Sequence, residues 1–184
     1  PELGSVPPDI FIPTAERSGF TRNLTIALFR KAVDAASTWP DHIGLSFNLS
    51  AQDLIDSDLC RTLLDVIDAV GLSHSRVEFE ITETSVMRDV VASRRFLARL
   101  KSAGCKIALD DFGKGYSSFE QLQALALDKI KIDRSFVSRV RSDILSRELV
   151  AAMVGLCNAV HLQCVLEGVE TDEELEYLRV LKAD

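Results

Sequence analysis

Asp110 and Asp111 are adjacent acids that follow the apolar run Ile107-Ala108-Leu109. Asn48 after Phe47, Glu80 after Phe79 and Glu167 after Val165-Leu166 stand in the same relation to apolar runs of their own. Lys131 lies inside Lys129-Ile130-Lys131-Ile132-Asp133. Crowded carboxylates repel, and some would take up protons at neutral pH. A divalent cation removes that repulsion. Oxygen donors from Asp, Glu and Asn favour Mg²⁺ or Mn²⁺ over zinc. Two such ions can hold and polarise a phosphodiester and activate water. Lys131 could orient that water or neutralise charge developing on the phosphoryl oxygens.

Each residue alone has a plainer reading. Asp-Asp before Phe-Gly also suits a turn, and Glu80 also suits a salt bridge at a strand edge. Asn48-Leu49-Ser50 also suits a helix cap. Lys131 can pair with Asp133 or Glu167, and Glu167 can simply precede a glycine turn. The five together, at the ends of successive strands, point to a shared cation site.

Positioning them requires parallel strands. Residues 43–49, 76–82, 106–109, 128–132 and 163–166 read as strands. Residues 21–37, 57–70, 89–102, 117–124, 144–160 and 171–181 read as helices. Gly71 and Gly104 close two of them, and Thr171 with Glu174 opens the last as a capping box. Strands alternating with helices predict βαβ crossovers, in a doubly wound sheet or a (β/α)8 barrel. Either fold delivers its strand C-termini to one face, where ligands bind. Alternation sets Phe79 and Ile81 against Glu78, Glu80 and Thr82, and Ile130 and Ile132 against Lys129 and Lys131.

The 184 residues are 47% hydrophobic and 27% charged, which excludes collagen-like and disordered classes. No run approaches the ~20 apolar residues of a membrane span. Acids outnumber bases, for a net charge of −7, and no basic stripe offers itself to duplex nucleic acid. Cys60, Cys105, Cys157 and Cys164 form no C-x-x-C pair and read as buried free thiols. His42, His74 and His161 have no metal-binding spacing.

Seven motifs together carry a resemblance: Phe11-Ile12-Pro13-Thr14-Ala15-Glu16, Phe47-Asn48-Leu49-Ser50, Phe79-Glu80-Ile81-Thr82-Glu83, Leu109-Asp110-Asp111-Phe112-Gly113, Gly115-Tyr116-Ser117-Ser118, Lys131-Ile132-Asp133 and Glu167-Gly168-Val169-Glu170-Thr171. From first residue to last, the chain resembles the EAL domain, a family of bacterial cyclic di-GMP phosphodiesterases. The resemblance implies an α/β fold, a (β/α)8 TIM-like barrel, with residues 1–184 forming a single domain. It implies two Mg²⁺ or Mn²⁺ ions and hydrolysis of cyclic di-GMP to linear pGpG. Carried over, Asn48, Glu80, Asp110 and Asp111 are metal ligands, Asp110 bridging. Lys131 positions the attacking water, Glu167 assists as base, and Glu83 holds the loop after Asp111. Asp133, Gly115 and Tyr116 contact substrate. The loop at residues 112–118 couples the site to a homodimer interface.

Lys114 stands where the family usually has a small residue, and Ala126 where it usually has proline. The Glu-x-Leu strand that names the family and the C-terminal strands with a substrate-contacting glutamine are absent. The expectation is therefore an incomplete barrel that is unstable, associates through open edges, or belongs to a longer protein. That protein is expected to be cytoplasmic, with regulatory or cyclase-like domains and membrane attachment left open. Two other functions compete: a non-catalytic EAL domain acting as a cyclic di-GMP receptor or protein-interaction module, and an unrelated Mg²⁺ barrel enzyme of enolase-like type.

Overall fold

The computed structural model describes residues 4, 6–114, 124–140, 142–181 and 183. Five strands, β1 (Leu45–Leu49), β2 (Val77–Thr82), β3 (Lys106–Phe112), β4 (Lys129–Ile132) and β5 (Gln163–Leu166), form one sheet in chain order. Every neighbouring pair is parallel. The fold is α/β, an arc of a TIM-like barrel. The longer helices are α1 (Pro8–Ser18), α2 (Thr21–Ala36), α4 (Ser57–Val70), α6 (Val90–Ser102), α8 (Ile144–Ala159) and α9 (Asp172–Arg179). No described helix is long and apolar enough to cross a membrane.

One face of the sheet is apolar. Phe79, Ile81, Ile107, Leu109, Ile130 and Ile132 are all at most 1% exposed. They pack with Leu59 and Leu63 of α4 and Leu97 and Leu100 of α6 in one core cluster. Each fully buried side chain of this size contributes about 1.5–3 kcal/mol. Phe29 of α2 meets Phe47 edge-on at 4.9 Å and Phe79 at 5.4 Å, which seats that helix on β1 and β2. The opposite residues of β2 and β4, Glu78, Glu80, Thr82, Lys129 and Lys131, are only partly buried. Alternation therefore builds an apolar face toward the helices and a charged face on the other side.

Short helices begin where strands stop. α3 (Ala51–Ile55), α5 (Glu83–Met87) and α7 (Arg134–Val137) follow β1, β2 and β4 with one or no residue between. Ser50, Thr82 and Asp133 cap them, each accepting a backbone N–H. Ser50 and Asp53 form a reciprocal capping box, so the plainer reading of Asn48-Leu49-Ser50 holds for the serine. The cap on α9 is the predicted Thr171–Glu174 box.

The sequence reading differs from the structure in specific places. α1, α3, α5 and α7 were not expected as helices. β3 runs to Phe112 rather than ending at Leu109, so Asp110 and Asp111 lie within a strand and not after it. Most of the helix expected at 117–124 lies outside the described residues. The four cysteines are free and buried as expected, and burial pushes the Cys105 thiol up to about 12.

Candidate functional site

The C-terminal ends of the strands gather the predicted residues. Asn48 of β1 is in register with Glu80 of β2, and Thr82 with Asp110 of β3. Lys131 of β4 reaches three of the acids. Its Nζ lies 3.1 Å from Glu80 Oε1, 3.3 Å from Asp110 Oδ1 and 2.7 Å from Glu167 Oε1. Glu167 is held by its backbone N–H, which donates to the carbonyl of Ile132 at 3.1 Å and so prolongs the β4–β5 ladder.

A bulge explains how two neighbouring aspartates can both stay polar. In regular alternation Ile107, Leu109 and residue 111 would share the core face. The β3–β4 register shifts between Leu109 and Phe112, and Asp111 takes a left-handed φ of 57°. The extra residue lets Phe112 fill the core position and releases Asp111. Asparagine and aspartate tolerate this conformation better than other non-glycine residues. Two residues on, position 113 requires glycine. Gly113 has a φ of 101°, and a Cβ there would lie 2.8 Å from Met153 and from the Phe136 ring.

Asp111 consequently leaves the Lys131 cluster. Its Oδ1 accepts from Lys114 Nζ at 2.8 Å, and the same ammonium lies 2.7 Å from Asp133 Oδ2. Asp133 is also fixed as the cap of α7, accepting from the Ser135 N–H at 2.9 Å. Glu83 is buried in the first turn of α5. Gly115 and Tyr116, expected to contact substrate, lie outside the described residues.

The electrostatics separate the acids. Burial favours the neutral form of Glu80, but hydrogen bonds from Ser46, Lys131 and Asn48 outweigh it and leave its carboxyl below the usual range. Burial dominates at Asp110 and, with the field of Glu167, holds it above the usual range despite Lys131. Burial opposes the charge on Lys131 as well, yet its bonds to Glu167 and Glu80 raise its pKa. Asp133 is depressed, burial being outweighed by Lys114 and Ser135.

Sequence reasoning missed Ser46, whose hydroxyl donates to Glu80 Oε1 at 2.6 Å. Its signal was available, since Ser46 lies two residues before Asn48 on the same strand face. It also missed Lys129, which pairs with Glu78 at 2.7 Å one layer below Lys131.

The donor set suits a hard divalent cation. Glu80, Asp110 and Glu167 already surround a positive charge, the Lys131 ammonium, with the Asn48 amide beside Glu80. Among the described residues no three His, Cys, Asp or Glu side chains stand as a ready cage; the lysine lies between the acids. Cation binding therefore requires Lys131 to give ground.

Comparisons with known proteins identify the family. The sequence model of the EAL domain matches residues 1–184. Cyclic di-GMP phosphodiesterase PdeR of Escherichia coli is 32% identical over 181 residues, covering 97% of this chain and 27% of PdeR. The solved structure of the PaMucR phosphodiesterase in complex with c-di-GMP superposes with a TM-score of 0.90 at 32% identity, over 97% of this chain and 74% of that one. A manganese and cyclic di-GMP complex of Klebsiella pneumoniae BlrP1 superposes with a TM-score of 0.86 at 31% identity, over 98% of this chain and 46% of that one. The chain spans only 22% to 28% of the length of the curated relatives it matches.

Proposed function

The chain belongs to the EAL domain family, and on that premise we propose that it hydrolyses one phosphodiester bond of cyclic di-GMP, giving linear pGpG, in bacterial second-messenger signalling. The observation that carries this reading is the single ammonium of Lys131 set among three carboxylates from three strand ends. A parallel sheet gathers such a group at its ligand-binding face.

Asn48, Glu80, Asp110 and Asp111 are the residues that would hold Mg²⁺ or Mn²⁺. The ions, when bound, supply Lewis acidity to the phosphodiester and to a water nucleophile. Glu167 accepts a proton from that water, whose oxygen forms the new bond to phosphorus as the bond to the 3′ oxygen breaks. The leaving 3′ oxygen takes up a proton from solvent and becomes a hydroxyl. Lys131, already bonded to Glu167, positions the water and offsets negative charge on the phosphoryl oxygens. Glu83 holds the loop at 112–118, through which two copies pair. Asp133, Gly115 and Tyr116 meet the nucleotide. The protein acts in the cytoplasm, with regulatory or cyclase-like domains elsewhere in the full-length chain.

Incubation of cyclic di-GMP with the protein and Mn²⁺ should release pGpG, and Asp110→Ala should abolish the release. Tight nucleotide binding without turnover by the unaltered protein would replace this reading with that of a receptor.

A further inference from the structure

We propose that Lys114 is a built-in counterion that holds Asp111 on Asp133 and must release it before Asp111 can serve a divalent cation. The proposal rests on the ligand role given to Asp111 above.

Three features make the lysine, rather than the backbone, the part that moves. Gly113 lies against Met153 and Phe136 with no room for a Cβ as they stand, so the turn carrying Lys114 is closely packed. Asp133 is buried and bonded to the Ser135 N–H, so its carboxylate is fixed. The Lys114 side chain, by contrast, is 48% exposed and bridges Asp111 and Asp133, with no third ion-pair partner among the described residues. Asp111 itself is 43% exposed and sits on the bulge, beyond the reach of the regular ladder.

The adjacent aspartates are therefore divided between two lysines. Asp110 belongs to Lys131, and Asp111 to Lys114. A divalent ion that draws on both aspartates competes with both ammonium groups. Lys131 is enclosed by three carboxylates, whereas Lys114 can swing into water at little cost. Lys114 is a positioning residue that lowers affinity for the ion without touching it, and it keeps Asp111 paired while the ion is absent.

The test is a Mn²⁺ titration of the full-length protein followed by calorimetry or by the electron paramagnetic resonance of free Mn²⁺. Lys114→Ala and Lys114→Gln should each bind Mn²⁺ about threefold to tenfold more tightly, the range set by a partly exposed ion pair. Lys114→Arg, which keeps the bridge, should bind as the unaltered protein does. Mn²⁺ affinity that is unchanged or weaker in both neutral variants, with the unaltered protein still binding, overturns the role of Lys114 alone. Failure of every form to bind Mn²⁺, the unaltered protein included, overturns the ligand assignment of Asp111 and this proposal with it.

Discussion

Glu80 and Asp110 touch the same ammonium, yet their acidities move in opposite directions. Glu80 has a depressed pKa, so its ionised form stabilises the fold above the pH at which the unfolded carboxyl titrates. Asp110 has a raised pKa, so its ionisation detracts from stability as pH rises past the unfolded value. At pH 7, without divalent cations, Glu80→Gln should therefore lower the melting temperature and Asp110→Asn should raise it. Thermal unfolding followed by circular dichroism checks both, and the two shifts should shrink together toward pH 3. Both substitutions, like Asp111→Asn, should reduce pGpG release by a hundredfold or more in a turnover assay, on the order of the contribution of a lost metal contact. Asp133 titrates in the same sense as Glu80, contributing stability that is lost as pH falls below the carboxylate range. The site was legible at this scale because polar residues at strand ends stand out against apolar runs. Lys114 was visible only as an oddity in a loop, since nothing in its neighbours announces Asp133 as a partner.

Elements made of long periodic runs were readable, and those made of four or five residues were not. α3, α5 and α7 are too short to show a helical period and are declared only by their caps. α1 was hidden by Pro13, which removes an N–H from its interior. The end of β3 was hidden by its bulge, which interrupts the alternation used to recognise a strand. Two local devices hold these elements in place. Arg76, the last residue of the short turn that leads into β2, donates to the carbonyls of Ile43 and Ala36 at 3.0 Å and of Trp39 at 3.2 Å, tying the end of α2 to the start of β1. A guanidinium with several carbonyl partners at a helix C-terminus is well placed against the helix dipole. Arg76→Ala should lower unfolding free energy by about 2–4 kcal/mol in urea titrations, as several charged hydrogen bonds are lost. Gly168, with a φ of 74°, follows Glu167 and lies against Arg134, where a Cβ would collide. Gly168→Ala should cost at least about 1–2 kcal/mol from its backbone conformation alone. It should also cut turnover more than Arg76→Ala does, because the collision displaces Glu167.

Across the whole molecule, the parallel order β1 to β5 follows from helices returning each strand to the same direction, which is why the fold class was legible. The charged face was less so, because its pairing across strands depends on register. Glu78 with Lys129 and Glu80 with Lys131 could be matched only once β2, β3 and β4 were aligned. A cation that binds the folded chain alone must stabilise it by mass action. Mn²⁺ at a hundredfold excess over its Kd should add about 2.7 kcal/mol, seen as a rise in melting temperature that EDTA reverses. Among the described residues, the five carboxylates of Glu80, Asp110, Asp111, Asp133 and Glu167 share the two ammonium groups of Lys114 and Lys131. That imbalance dictates a sequence of arrival. An anionic dinucleotide approaching the bare protein meets repulsion, and one approaching after the cations meets attraction, so catalysis would proceed by compulsory-order addition with the inorganic partner first.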